Sequence, residues 1–216
     1  LAARAHALGI KVIYYICPQV WAWNRARIPR MARMIDRLLT IFPFEPDVFA
    51  GTGLRVDFVG HPLVDEARAA RTEPGIDLPW AGSPRVALLP GSRAHEIRRI
   101  LPVMRAAAEV VASRCPSASF LVASPSAVIA EIVRTTLADA GGQPARWSVV
   151  TGCTRQVLRQ ADAAFVASGT ATIEASLMEC PMAVVYRVGA LTWLIGRLLV
   201  RLDHIGMVNI VAGRRL

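Results

Sequence analysis

The sequence predicts an α/β fold built on parallel β-sheets, and three observations support that prediction. Short apolar runs rich in Val, Ile, Phe and Tyr alternate with helical patterns, at spacings close to those of βα units. Several of these runs are apolar at every position, as expected of strands that are covered on both faces. With 216 residues, 54% hydrophobic and 19% charged, the chain can bury a substantial core, which excludes a disordered or fibrous protein.

The individual elements follow from the same patterns. Strands are predicted at 11–16, 38–42, 56–59, 86–89, 120–123, 148–150, 163–167 and 183–186. Helices are predicted at 1–8, 27–36, 96–113, 127–140, 154–160, 171–179 and 191–202. Because proline removes a backbone donor, the second long helix is expected to kink or restart at Pro102. The apolar run just before Arg214 has a strand-like pattern.

The stretch 71–84 predicts a linker between two Rossmann-like units, at 1–70 and 85–216. It holds three prolines, two glycines and few strong core formers. The chain opens at Leu1 in the last turns of an Ala-rich helix, and no cap or tail follows Arg214. These patterns are those of an internal piece of a longer protein, so we expect an incomplete N-terminal unit.

The charge balance indicates an anionic partner. The formal net charge is +9, and 24 of the 25 basic residues are arginine. The longest uncharged stretch, 115–130, contains two prolines and four serines, which argues against a transmembrane helix. The arginines are spread along the chain and no RNP, KH or zinc-finger pattern occurs, so a nucleic-acid-binding module is the weaker alternative.

One candidate phosphate-binding loop follows the strand predicted at 86–89. Pro90 and Gly91 allow a tight turn whose backbone N–H groups would point outward at a helix N-terminus. Ser92 adds a hydroxyl group and Arg93 a forked cation suited to phosphate. The spacing and lysine of a Walker A loop are absent, and an ordinary βα turn explains the pattern equally well.

A second candidate loop lies at another strand-to-helix junction, over 168–174. Gly169 permits close backbone approach, with Ser168 and Thr170 on either side of it. Glu174 falls about one turn into the following helix, where it could accept hydrogen bonds from sugar hydroxyls. Helix capping with a first-turn acid is the simpler explanation of this segment alone. Two such loops on one sheet favour a nucleotide diphosphate.

Three other segments have both functional and structural explanations. Trp21 and Trp23 do not share one helix face, so their loop is either an aromatic platform for a sugar or acyl chain, or a packing element between the two units. His61 precedes a proline, and a structural role is favoured over acid–base chemistry. The helix predicted at 191–202 has leucines along one face, which predicts that this face packs against the core. Trp193 and the arginines lie outside that face, and they also suit a helix at a membrane interface.

Taken together, these segments resemble the lipid-A-disaccharide synthase family of inverting glycosyltransferases. The matching stretches occur in family order: YYICPQVWAWNRARI, FPFEPDVF, FVGHPLVD, LLPGSRAHEI, SGTATIEASLMECPMAVVYR and NIVAGRR. The resemblance implies a GT-B fold of two Rossmann-like domains, with the acceptor-side domain incomplete and the donor-binding domain truncated at its C-terminus. It implies transfer of 2,3-diacylglucosamine from UDP to 2,3-diacylglucosamine 1-phosphate in lipid A biosynthesis. No metal or cofactor is implied.

The resemblance also implies roles for individual residues. Gly91, Ser92 and Arg93 would hold the UDP diphosphate, with Arg93 stabilising the leaving group. Glu174 would bind the ribose. The other implied donor residues are Ser168, Gly169, Thr170, Tyr186, Arg187 and Asn209, and the implied cleft residues from the N-terminal unit are Gln19, Trp21 and Trp23.

An inverting transfer also needs a general base, and no residue here matches the family's source of it. We therefore expect the base to lie upstream of Leu1, and the fragment to be inactive alone. The family implies a cytoplasmic protein, peripheral on the inner membrane. The main alternative is another GT-B enzyme that uses UDP-N-acetylglucosamine, either a polyprenyl-linked transferase or a 2-epimerase.

Overall fold

Two parallel β-sheets organise the chain in the computed structural model, which describes residues 1–142, 144–187 and 206–214. The first sheet has the order β1-β2-β3, with β1 at Ile13–Tyr15, β2 at Arg37–Thr40 and β3 at Arg55–Phe58. The second sheet has the order β6-β5-β4-β7-β8. Its strands are β4 (Arg85–Leu89), β5 (Ser119–Ser124), β6 (Trp147–Thr151), β7 (Ala163–Ala167) and β8 (Met182–Val185). All eight predicted strands are confirmed, with bounds shifted by at most two residues.

Helices connect these strands. They are α1 (Ala2–Ala7), α2 (Val20–Trp23), α3 (Ile28–Ala32), α4 (Glu45–Val48), α5 (Pro62–Thr72), α6 (Ala94–Arg114), α7 (Ala127–Asp139), α8 (Thr154–Gln160), α9 (Thr170–Leu177) and α10 (Met207–Ala212). A single 3-10 turn, Arg25–Arg27, precedes α3. The helix predicted at 191–202 lies outside the described residues.

The second sheet is covered on both faces, as its apolar strands predicted. Successive side chains of β5 alternate between two clusters: Phe120 and Val122 contact α6 and α7, whereas Leu121 and Ala123 face the side of α5, α8 and α9. All six residues of this strand are buried. The strand therefore has no polar face, which is why its sequence shows no alternation.

The predictions for two helices and for the run before Arg214 need correction, and two short helices were missed. The helix predicted at 27–36 is shorter, because Asp36 instead accepts hydrogen bonds from the Val12 backbone and from Lys11 beside β1. Helix α6 runs through Pro102 without restarting, since its apolar face is held against the sheet. The strand-like run before Arg214 is helix α10. Helices α2 and α4 were not predicted.

Helix α5 was also not predicted, and it occupies the first two residues of the proposed linker. His61 caps it, since its Nδ1 accepts a hydrogen bond from the Leu63 backbone. Although α5 follows the first sheet in the chain, Ala67 packs in the core of the second sheet. Arg71 donates to the carbonyl of Leu177, and Arg159 donates to the carbonyl of Ala70. By its contacts, α5 therefore belongs with the second sheet.

A buried carboxylate, Glu45, joins the loops that follow β1 and β2. Its Oε1 accepts a hydrogen bond from the Trp21 indole at 3.2 Å, and its Oε2 accepts from the backbone of Ile41 at 3.2 Å and Phe42 at 3.0 Å. Burial and the nearby Glu45 charge raise the pKa of the Cys17 thiol to about 12. The carboxylate thus satisfies three donors that are far from bulk water.

We expect Glu45→Ala to lower the free energy of unfolding by about 2–4 kcal/mol, because three buried donors lose their acceptor. Glu131→Ala is the control, since Glu131 is exposed on α7. The free energy of unfolding of this variant should fall by no more than roughly 0.5 kcal/mol. Urea denaturation of the natural full-length protein, followed by circular dichroism, measures both. Equal losses for the two variants would show that the Glu45 contacts do not stabilise the fold.

Candidate functional site

The candidate site lies where the strand order of the second sheet reverses. The chain builds β4, β5 and β6 toward one edge, then returns to place β7 on the other side of β4. In such sheets, the crossover helices leave a crevice at the carboxyl ends of the two central strands, and ligands bind there. The loop after β4 holds Gly91, Ser92 and Arg93, and the loop after β7 holds Ser168 and Gly169. The two predicted loops are therefore neighbours.

The first loop converges on an internal carboxylate, Glu96, in the first turn of α6. The guanidinium of Arg93 donates to Glu96 Oε1 at 2.7 Å, and the backbone N–H of Ser92 donates to Oε2 at 3.3 Å. Burial opposes ionisation of Glu96, but these hydrogen bonds outweigh it and lower the pKa of the carboxyl group. The loop thus has the donors that an anion requires, and a phosphate group here would compete with Glu96.

Sequence reasoning did not assign a role to Glu96. The available signal was its position, since an acid in the first turn of a helix commonly reaches back to the preceding backbone. Gly91 has φ +118°, and a Cβ atom there would lie 2.7 Å from Glu96 Oε2. Glycine is therefore required at this position both by backbone conformation and by the close approach of the carboxylate.

The second loop presents open backbone at the start of α9. Gly169 has φ +149°, and a Cβ atom there would have no heavy atom within 4 Å. The Ser168 backbone donates to the carbonyl of Val185, which fixes the loop against β8. Thr170 is exposed at the first position of the helix. This geometry leaves room for a ligand group close to the main chain.

Glu174 lies on α9 in a cluster with charged groups from two other helices. Arg155 of α8 lies 3.2 Å from its Oε1, and the same guanidinium also pairs with Glu66 of α5. The Glu174 side chain is only 22% exposed. Burial raises the pKa of Glu174, Arg155 opposes that rise, and Glu66 adds to it. Arg155 and Glu66 had not been identified from the sequence.

The other predicted donor residues lie around the same two strands. Tyr186 and Arg187 follow β8, beside β7, and both are exposed. Asn209 lies on α10, which packs against α9. His61 does not join the loops, since it caps α5, and burial lowers its pKa.

The predicted cleft residues of the first unit lie on or beside α2. Gln19 is the residue that precedes this helix, and Trp23 is its last residue. Trp21 is 7% exposed and packs with Phe42 and with Met207 of α10. Its ring also meets Phe44 edge to face, with centroids 5.0 Å apart. Trp21 therefore packs between the first-sheet loops and α10, in agreement with the structural explanation of this segment.

Two further properties concern the described part of the chain. Within it, no three His, Cys, Asp or Glu side chains are grouped closely enough to hold a metal ion. None of the helices described there combines the length and apolar character that crossing a bilayer requires.

The two parallel sheets and the crevice define a GT-B fold, and solved structures show the same arrangement. The S. aureus MnaA–UDP co-structure matches with a TM-score of 0.59 at 9% identity, covering 97% of this chain and 59% of that one. A putative UDP-N-acetylglucosamine 2-epimerase from Listeria monocytogenes matches with a TM-score of 0.56 at 13% identity, covering 97% of this chain and 66% of that one. At these identities the likeness concerns the fold alone.

Sequence comparison identifies the family. The model of the family described as lipid-A-disaccharide synthetase matches residues 1–216. Lipid-A-disaccharide synthase of Syntrophus aciditrophicus is 42% identical over 99% of this chain and 56% of its own length. That of Myxococcus xanthus is 39% identical over 100% of this chain and 56% of its own length. The chain belongs to the lipid-A-disaccharide synthetase family, and it spans about half the length of these relatives.

We expect Gly91→Ala to lower the free energy of unfolding by about 2–3 kcal/mol, because it adds backbone strain and forces Glu96 to move. Gly142→Ala is the control: Gly142 also has positive φ, but it has open space around its Cβ position. The free energy of unfolding of that variant should fall by only about 1 kcal/mol. Urea unfolding compares them, and equal losses would show that the contact with Glu96 is unimportant.

Proposed function

We propose that this chain provides the donor-nucleotide site of a glycosyltransferase that moves 2,3-diacylglucosamine from UDP to 2,3-diacylglucosamine 1-phosphate. The products are lipid A disaccharide 1-phosphate and UDP. The observation that supports this proposal best is the meeting of two glycine loops at the reversal of the strand order, one of them with an anion-binding set of donors. Membership of the family supplies the substrate class.

In this proposal, the diphosphate lies against Gly91, Ser92 and Arg93, where it displaces the Glu96 carboxylate. Glu174 accepts hydrogen bonds from the ribose hydroxyls. The surrounding donor residues are Ser168, Gly169, Thr170, Tyr186, Arg187 and Asn209. In this proposal, residues 85–216 hold the donor with α5 packed against them, and the first sheet with its loops forms part of the acceptor side. Residues 59–61, rather than the predicted 71–84, connect the two.

The first unit would contribute α2 to the cleft. Gln19 and Trp23 lie at the two ends of this helix, and the buried Trp21 fixes its position through the hydrogen bond to Glu45. We propose that this helix lies beside the acyl-sugar groups, with its orientation set by Trp21 packing.

Arg93 would stabilise the charge that develops on the UDP leaving group as the glycosidic bond breaks. A forked guanidinium suits this task, since it donates two parallel hydrogen bonds to phosphate oxygens. The acceptor hydroxyl loses its proton to a general base as it attacks. We assign that base to a region beyond these 216 residues, because the relatives are about twice as long.

We expect Arg93→Ala in the natural full-length protein to reduce transfer by at least roughly a hundredfold, because the leaving group loses its cationic partner. Arg99→Ala is the matched control, since Arg99 is an exposed arginine further along the same helix. Product formation from radiolabelled donor measures both variants. Near-normal turnover of the Arg93 variant would contradict its role.

Comparing donors with and without acyl chains tests the substrate class. The proposed transferase requires the acylated donor, whereas a 2-epimerase or polyprenyl-linked transferase would use UDP-N-acetylglucosamine.

We further propose a peripheral position on the cytoplasmic face of the inner membrane, with no nucleic-acid partner. The net charge of +9, carried almost entirely by arginines, supports contact with anionic lipid.

The protein should cosediment with vesicles containing phosphatidylglycerol at low salt, and should be released as salt screens the arginines. Vesicles of phosphatidylcholine alone are the control and should retain much less protein. Equal retention by both vesicles, or by neither, would contradict the proposed surface, as would salt-resistant binding to duplex DNA.

A further inference from the structure

Three charged side chains from three helices meet beside the second loop. Glu174 comes from α9, Arg155 from α8 and Glu66 from α5, so residues up to 108 positions apart in the chain converge on one guanidinium. We propose that Arg155 is a positioning residue, which holds the Glu174 carboxylate in place for the ribose hydroxyls while Glu66 pairs with the same guanidinium nitrogen. This inference rests on the proposed function, in which Glu174 binds the ribose.

The geometry gives Arg155 a bridging position. Its Nη2 lies 3.2 Å from Glu174 Oε1, and it also contacts Glu66 Oε2. Arg155 is 28% exposed, and its Nε atom is buried with no hydrogen-bond partner within the described residues. The guanidinium therefore pairs with both carboxylates through its Nη2 atom. Arg155 contacts Glu174 through Oε1, the one carboxylate oxygen for which an ion pair is observed.

Burial explains why Glu174 needs this partner. A carboxylate that is removed from water favours its neutral form, and a second carboxylate nearby strengthens that tendency. Burial and Glu66 both raise the pKa of Glu174, whereas Arg155 lowers it. A neutral carboxyl group accepts hydrogen bonds weakly. Loss of Arg155 would therefore weaken the hydrogen bonds that Glu174 accepts from the ribose hydroxyls.

Among the residues that the structure describes, two charged groups act on Glu174. Arg155 faces it from α8 and Glu66 from α5. The strands β7 and β8 and helix α10, which also contact α9, contain no charged residues. The ionisation of Glu174 therefore depends on Arg155 and Glu66, and a pH profile reports on them directly.

The experiment measures UDP binding to the natural full-length protein by calorimetry from about pH 5 to pH 9, with 2′,3′-dideoxy-UDP as the comparison ligand. The affinity difference between the two ligands isolates the ribose hydroxyls from the diphosphate. In Arg155→Gln, the pKa of Glu174 rises further, so this difference should fall roughly tenfold at the acidic end of this range and recover toward its alkaline end. The unsubstituted protein should lose this affinity difference only at a pH lower than that at which Arg155→Gln loses it.

Two other variants complete the design. Arg134→Gln removes an exposed arginine that pairs with Glu131 on α7, and it should keep the original pH profile. Glu66→Gln removes the like charge from an exposed position, so it should move the low-pH loss of binding to still lower pH. This second substitution keeps the proposal testable even if Arg155→Gln does not fold.

The outcomes separate the two proposals. If Arg155→Gln weakens UDP at every pH with an unchanged profile, or if Glu66→Gln leaves the low-pH loss of binding where it was, the positioning role of Arg155 is overturned while the nucleotide site stands. If the unsubstituted protein does not distinguish UDP from its dideoxy analogue, or if Glu174→Gln retains that distinction, the ribose assignment falls, and the positioning role falls with it.

Discussion

The pairing of β7 with β4 is the constraint on which the rest of the site depends. After β6 the chain must cross back over the sheet, and the register of Leu89 with Val166 then sets the carboxyl ends of β4 and β7 side by side. Because both strands are buried and apolar, this register is firmly specified by the packing on their two faces. The loops that follow inherit their proximity from the sheet, so neither loop needs its own long-range contacts to find the other.

Three glutamates follow one physical principle at different places around this framework. Glu45, Glu96 and Glu174 are all shielded from water, and each is matched by donors that its neighbourhood provides. For Glu45 these are backbone amides and an indole, so the carboxylate is a permanent part of the fold. Glu96 and Glu174 lie on the helices that follow the two loops and pair with arginines, whose hydrogen bonds a ligand can share or replace.

The sequence was sufficient to predict the strands, because short apolar runs rich in β-branched and aromatic residues are typical of strands, even where the strand is exposed as β1 is. It was less informative where tertiary contacts override local pattern. Helix α5 begins at Pro62 and has Asp65 in its first turn, both of which are signals of a helix start. Its cap, however, is His61 instead of Ser, Thr, Asp or Asn, and its sequence is polar and alanine-rich. The β-branched run over 207–212 is helical because it packs beside Ile173 and Trp21.

The site was predictable only in part, for a related reason. Glycines and hydroxyl-bearing residues next to strands indicate loops, and these signals come from residues that are neighbours in the sequence. Some contacts around Glu45 and Glu174 are not local: Trp21 is 24 residues from Glu45, and Arg155, which pairs with Glu174, also pairs with Glu66, 89 residues away. Only the folded arrangement shows that these pairs exist.

The membership of α5 in the second sheet's packing has a mechanical consequence. Strand β3 ends at Phe58 and α5 begins at Pro62, so only residues 59–61 connect one packed body to the next. Three residues reach at most about 10 Å when fully extended. This short segment prevents the two sheets from separating widely beside it, and a pivot about it would have to rearrange the packing of α10 against Trp21 and Ile173.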